Sequence, residues 1–488
     1  MSEDGRSPSD MSPSGEATKA TIAKFLMAAI GFAGNIYFAR VLGPERIGGF
    51  YLLVAVTRFL GRPMTGINKA VVKRASEAST SIDQSVGALG TIGVGWFTIV
   101  AAGTVAARDP LVAYVGIESA ATLLVLYFAS EILYGTFVPV LQAKGKVGFA
   151  YGMDAFRSYV EIPVQFALVV LGFGVNGLIA GLVTANLIAT PVALRGLGSL
   201  PERPSRELLS RIGEYAKFSV PDAIVGTAYG RFDTFLLGAL LSQTVVGDYG
   251  VAARLTMPAL FVASSVSATT LVRISGEHSR GTGVSADVTN ALSFSAVLSV
   301  PIFFGGVILA EPLITVVYGT AYTGAAAFLL VLGVQRVFES QTKVLLEVIN
   351  GIDRPDYTLR LSALALAVNI PLGVLLVREI GGIGVVIATV FAETIRYGGG
   401  WLLVRRAIPD ANLLTRTFLE QLVSGAIMAG VVLLAVRTVP ADTIASLIAV
   451  VALGGMIYAS TLLLISARVR TTTAEVWRLT IDRVERAR

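Results

Sequence analysis

Charged side chains set inside apolar stretches are the residues of this chain most able to do chemistry. Arg231, Arg254, Arg336, Lys343 and Arg396 fall deep within runs of about 20 apolar residues, the length a helix needs to cross about 30 Å of hydrocarbon. A charge at mid-bilayer costs about 3 kcal/mol on insertion scales, so each must face a partner or water. Spacing sorts them. Arg336, Glu339, Lys343 and Glu347 recur at i, i+3, i+7 and i+11 with alternating sign, so one helical face can pair with itself. Asp154, Arg157, Glu161 and Gln165 repeat the device, and Glu393 and Arg396 can pair at i+3. Such stripes read either as structural pairing or as the wall of a hydrated cavity that passes protons or cations, with Glu131 and Asp222 as further carboxylates of that kind. Asp222, Tyr229 and Asp233 share one face of a span, while Arg231 points away from them. Arg254 and Arg58 have no carboxylate three or four residues away on their own helix.

The elements that carry these residues follow from composition. Of 488 residues, 54% are hydrophobic and 15% charged, against about 25% charged in soluble domains, which excludes an ordinary soluble enzyme. Cysteine is absent and His278 is the single histidine, so disulfide frameworks, thiolate chemistry, Cys/His zinc sites and paired-histidine haem ligation are all excluded. No G-x-x-x-x-G-K-[ST] stretch is present to cradle nucleotide phosphates. No cofactor and no metal is expected.

Hydropathy predicts an all-α polytopic membrane protein with about 14 spans, at 20–41, 47–66, 86–107, 117–140, 153–172, 174–194, 217–241, 246–271, 289–310, 323–349, 359–377, 382–404, 418–437 and 444–467. Sorted by alternate loops, 29 of the 39 lysines and arginines fall on one side. That bias places both termini in the cytoplasm, and it explains the net charge of +6 without nucleic acid as a partner. Residues 1–19, rich in Ser, Pro and Gly, read as a disordered cytoplasmic tail. Residues 468–488, where Trp477, Ile481 and Val484 share a face among charges, read as an amphipathic helix on the inner interface.

Internal repetition organises the spans. Leu42 to Phe50 matches Leu241 to Tyr249 at an offset of 199, and Gly174 to Gly177 matches Gly381 to Gly384 at an offset of 207. Equal orientation predicts two parallel six-helix repeats. The lobes are 20–194 and 217–404, joined by a cytoplasmic linker at 195–216 and followed by helices 13 and 14 over 405–467. Pro139, Pro163, Pro191, Pro221, Pro258, Pro301 and Pro371 lie inside or near the ends of spans, where each bends its helix. Bends around Pro221, Pro258 and Pro371 would let the lobes rock.

Four stretches carry a resemblance: FARVLGPERIGGFYLL, GRFDTFLLGALLSQTVVGDYGVAARL, AEPLITVVYGTAYTGAAAFLLVLG and NGIDRPDYTLRLSALALAVNIPLGVLLVREIGGIGVVIAT. Together they resemble the polysaccharide biosynthesis, or oligosaccharide flippase, family. It belongs to the superfamily that also holds the multidrug and toxin extrusion exporters and the lipid II flippases. Arg40, Leu42, Gly43 and Gly48 fit its first hairpin. Asp233, Gly247, Tyr249 and Arg254 fit its second, and Gly319, Tyr322, Asn369, Gly381 and Gly384 fit its C-terminal half. Gly49 and Asp248 depart from the hydrophobic residue expected between glycine and aromatic.

The resemblance implies a two-lobed bundle that carries a polyprenyl-linked oligosaccharide to the outer leaflet by alternating access. Its partners would be that lipid-linked glycan, membrane lipid, and glycan polymerase or transferase machinery, in a prokaryotic plasma membrane. A phosphate or pyrophosphate head group must leave water while remaining anionic, and arginine offers bidentate geometry for it. Arg58 and Arg254 are therefore the expected phosphate contacts, with Arg231 and Arg40 behind them and Asp233 and Asn369 on the cavity wall. Pairing of Arg254 with Asp233 or Asp248, and snorkelling of Arg58 to the interface, are the structural alternatives. The functional alternatives are a cation-coupled drug or toxin exporter on the same scaffold, a membrane glycosyltransferase or polymerase, and a purely structural role. The short outer loops, poor in acids, argue against an enzyme.

Overall fold

A computed structural model of the chain describes residues 13–75, 81–280 and 283–486. Residues 1–12 of the expected tail, and the side chains of Asp222, Trp477, Ile481 and Val484, lie outside the described residues. Among the described residues there is no strand.

The first eight helices are α1 (Pro13–Leu60), α2 (Arg62–Ala75), α3 (Ile82–Ala106), α4 (Arg108–Val115), α5 (Ala120–Ala143), α6 (Val147–Val170), α7 (Gly174–Leu197) and α8 (Arg206–Leu240). The chain continues with α9 (Gln243–Thr256), α10 (Phe261–Arg280), α11 (Ser285–Ser295), α12 (Ser299–Tyr318) and α13 (Ala325–Gly351). It ends with α14 (Pro355–Ile380), α15 (Gly382–Ala407), α16 (Arg416–Thr438), α17 (Ile444–Ile465) and α18 (Ala467–Arg486).

Eight described segments are long and apolar enough to cross a membrane. The charged stripes keep α6 and α13 out of that set. Large apolar side chains such as Val94, Ile99 and Val105 on α3 and Leu434 and Leu464 on α16 and α17 are exposed along these segments. In water that surface would aggregate; in a bilayer it is the lipid contact. The chain is a multi-pass helical membrane protein.

Two compact units divide the chain, Met1–Arg231 and Phe232–Arg488, so the division falls inside α8. Much of the predicted 195–216 linker is helical: α7 runs on to Leu197 and α8 begins at Arg206.

Lipid tails are as apolar as leucine, so helices in a membrane associate by close packing and interhelical hydrogen bonds. The N-terminal unit shows both. A Cβ on Gly66 would come within 2.6 Å of Val220 Cα, and Ser219 Oγ donates to the Gly66 carbonyl at 2.8 Å. Trp96 Nε1 donates to the Leu60 carbonyl at 2.8 Å, tying α3 to the end of α1. The departure at Gly49 has the same cause, since a Cβ there would stand 2.6 Å from the Val115 carbonyl oxygen. Asp248, the other departure, lies against Gly324 at the start of α13.

Left-handed backbone positions recur with the repeat. Gly116 and Gly319, Gly145 and Asp353, and Gly174 and Gly381 all have positive φ, at offsets of 203, 208 and 207. The middle pair closes identical turns. Lys146 N donates to Leu141 O and Gly145 N to Gln142 O, as Arg354 N does to Ile349 O and Asp353 N to Asn350 O, all at 3.0 to 3.1 Å. These are Schellman caps. At the first repeat match the two halves use different chemistry: Gly43 breaks α1 at φ 81 ahead of Pro44, whereas Ser242 is extended and caps α9 through Val245 N. Of the expected bends, Pro139, Pro163, Pro191, Pro221 and Pro371 lie inside helices. Pro258 sits in a 3₁₀ turn and Pro301 in the first turn of α12.

Candidate functional site

Four helices of the N-terminal unit enclose a cavity of about 390 Å³. The end of α1 contributes Arg58, α2 contributes Arg62 and Asn68, α5 contributes Glu131 and Gly135, and α6 contributes Arg157. Arg58 and Arg62 stand one turn apart across Gly61, where α1 gives way to α2. On α5, Gly135 leaves room, since a Cβ there would meet no atom within 4 Å.

Arg157 is held in place by its neighbours. Its Nη1 donates to Glu131 Oε1 and to Asn186 Oδ1, each at 3.2 Å. Asn186 Nδ2 in turn donates to Glu131 Oε1 and Ser130 Oγ at 3.0 Å. The guanidinium lies over the Tyr134 ring at 5.5 Å, and Tyr134 donates to Asp154 at 3.0 Å. The α6 stripe therefore works across helices: the ion pair that Arg157 makes is with Glu131 on α5.

Around this cavity three arginines face one carboxylate, and three buried polar atoms, Arg62 Nε, Arg157 Nε and Asn68 Oδ1, have no hydrogen-bond partner among the described residues. Buried polar groups are nearly always bonded to protein or water; here the two arginine Nε atoms are donors that lack an acceptor, and Asn68 Oδ1 is an acceptor that lacks a donor.

A second polar cluster lies in the C-terminal unit and is closed. Tyr249 donates to Asp233 Oδ2 at 3.0 Å, Thr389 donates to Asp233 Oδ1, and Asn369 Nδ2 donates to Thr389 at 3.2 Å. Asn369 is fully buried and Asp233 nearly so. Asp233 forms no ion pair among the described residues.

The other expected site residues are dispersed. Arg40 is exposed beside the break at Gly43, and Arg231 and Arg254 are half-buried on α8 and α9. On α13 the predicted self-pairing is present at its first step, Arg336 to Glu339, with Arg336 Nε also donating to Thr256 at 3.3 Å. Farther along, Glu347 accepts from Asn350 at 3.2 Å, while Lys343 is half-buried. Glu393 and Arg396 pair at 2.8 Å as their spacing predicts. Tyr249, which fits the family's second hairpin beside Asp233, joins it in the cluster, whereas Arg62, Asn68 and Thr389 are additions that only the structure makes. For Arg62 the signal was available, an i, i+4 arginine pair closing an apolar run; for Thr389 there was none.

Fold and cavity together define a polytopic helical membrane protein with a polar cavity in its N-terminal unit. The chain belongs to the polysaccharide biosynthesis protein family, whose pattern matches residues 37–327. It is 24% identical over 374 residues to the "Probable low-salt glycan biosynthesis flippase Agl15" of Haloferax volcanii, covering 76% of this chain and 79% of that one. It is 26% identical over 387 residues to the "Probable flippase AglR" of the same organism, covering 78% and 80%. Among solved structures, the inward closed lipid II flippase MurJ shares the fold with a TM-score of 0.77 at 16% identity, covering 91% of this chain and 98% of that chain. An inward-facing multidrug resistance MATE transporter of the MOP superfamily shares it with a TM-score of 0.61 at 17% identity, covering 78% and 94%.

Proposed function

We propose that this protein is a flippase that moves a lipid-linked oligosaccharide from the inner to the outer leaflet of a prokaryotic plasma membrane, with both termini cytoplasmic, and that it acts as a transporter and not as an enzyme. The observation that carries the reading is the arginine cavity of the N-terminal unit, with its unsatisfied buried donors. A polyprenyl phosphate or pyrophosphate is an anion that must enter a low-dielectric space, and the guanidinium groups of Arg58, Arg62 and Arg157 are its natural hydrogen-bond donors. The flippase names of the two Haloferax volcanii relatives support the substrate class. By the loop-charge bias the cavity belongs to the cytoplasmic half, where such a lipid is made available.

The lobes at 20–194 and 217–404 would rock about the proline bends. Asp233 supplies a coupling element: a carboxylate enclosed by hydroxyl and amide groups within a membrane is stabilised by taking up a proton or a monovalent cation. The same cluster supports the second reading, a cation-coupled exporter of drugs or toxins, but the cationic cavity disfavours cationic cargo.

A strain lacking the protein tests the first reading. It should lose its surface glycan while the lipid-linked precursor accumulates on the cytoplasmic leaflet, and expression of the chain should reverse both. An unchanged glycan with a new drug sensitivity would replace the first reading by the second.

A further inference from the structure

The two halves of the repeat use the same loop in different ways. In the N-terminal unit the basic residues after α5 are occupied. Lys146 Nζ donates to the Gly196 carbonyl at 2.6 Å, and Lys144 Nζ donates to the Leu197 carbonyl at 2.8 Å, so both close the C-terminal end of α7. Phe149 seals the remaining space against Gly196, where an added Cβ would overlap its ring.

At the repeat offset of 208, Lys146 corresponds to Arg354, Phe149 to Tyr357 and Gly196 to Val404. In the C-terminal unit this junction is open. Arg354 stacks over Tyr357 at 5.9 Å instead of reaching the end of α15, and the turn after α15 is closed by its own Arg405, whose Nη1 donates to the Pro409 carbonyl at 2.9 Å. Between them lies a cavity of about 620 Å³. Ile349, Ile352, Leu403 and Ile408 line its apolar part, with Arg354, Arg406 and Asp410 as its charged lining residues. Neither arginine forms an ion pair among the described residues. Asp353, the one non-glycine with positive φ among the described residues, holds the turn that presents Arg354, and such positions gather at functional sites.

We infer that this cavity is a binding site for an anionic glycerophospholipid, separate from the transport cavity. Arg354 and Arg406 receive the phosphate, Asp410 accepts from a headgroup hydroxyl, and the apolar wall takes the start of the acyl chains. A basic pocket between helix ends at the membrane surface suits a lipid headgroup, and a wall this apolar gives free phosphate no advantage. The reading does not depend on what the protein transports.

The test is lipid binding to the purified full-length protein, measured by native mass spectrometry and by the thermal shift in phosphatidylglycerol relative to phosphatidylcholine. The wild type should retain phosphatidylglycerol selectively, while inorganic phosphate should produce no shift. R354Q/R406Q should weaken retention by about fivefold per arginine. R195Q/R203Q, which removes two exposed arginines from the same predicted side, should change retention less than about twofold, since surface charge alone is screened. Ala407→Trp narrows the cavity and keeps both charges, so it should lose lipid as well, which preserves the test if the double variant folds poorly. Equal retention by R354Q/R406Q or by Ala407→Trp, equal loss in R195Q/R203Q, or an equal shift with inorganic phosphate would each overturn the assignment.

Discussion

The arginine cavity of the N-terminal unit and the Asp233 cluster of the C-terminal unit both place charge inside spans, yet their hydrogen bonding is opposite. In the cavity, donors outnumber acceptors: Arg62 Nε and Arg157 Nε are buried without partners around open space. In the cluster, Tyr249 and Thr389 both donate to one carboxylate, and Asn369 closes the group with no exposure at all. On the proposed function the first arrangement receives an anion from outside, and the second receives something as small as a proton or a bare cation. Intramembrane charge by itself therefore does not identify a substrate site; the sign of the unsatisfied groups and the space beside them do.

The largest effect should come from removing the cavity's two neighbouring arginines. A hydrogen bond to a charged group contributes about 1.5–3 kcal/mol, so Arg58→Gln with Arg62→Gln should lower glycan export about a hundredfold or more, with membrane abundance unchanged. Loss of abundance in step with export would erase the contrast between the two regions. Next comes Asp233→Asn, which keeps the shape of the cluster and removes its charge. Export should drop about tenfold and cease to respond to the ion gradient, whereas an undiminished ion response would leave the cluster purely structural.

Gly135→Leu sharpens the comparison from the cavity side. It adds bulk where a Cβ meets nothing and alters no charge, so export should fall several-fold while thermal stability stays within about 1 kcal/mol. The smallest effect is expected for Tyr134→Phe, which deletes the single hydrogen bond to Asp154 beside the cavity. A cost of about 1 kcal/mol in stability, read as a modest loss of membrane abundance with export per molecule preserved, would mark that contact as support for Arg157 only.

Much of this was legible in residue order. The α13 pairing of Arg336 with Glu339 and the α15 pairing of Glu393 with Arg396 follow from helical spacing, because neighbours at i+3 share a face whatever the rest of the chain does. Arg157 shows where that logic ends. Its own helix offers Asp154 and Glu161, but its ion pair is with Glu131, 26 positions earlier on α5. Asn369 was picked out by family resemblance alone, and its partner Thr389 lies on the next helix.

Residue order by itself determined that the chain is an all-helical membrane protein, since its apolar residues come in runs of about 20, the length of a spanning helix and about twice that of a barrel strand. Sequence order alone also supplied the repeat, visible again in the positive-φ pairs Gly145 with Asp353 and Gly174 with Gly381. Only the tertiary structure decided which charges face space and which face each other, because that depends on helix rotation and on neighbours far away in sequence. It placed Arg58, Arg62 and Arg157 around one cavity and sealed Asp233 inside another cluster. The same repeat position is spent on capping α7 through Lys146 and left open at Arg354, a difference fixed by what each neighbouring helix end presents.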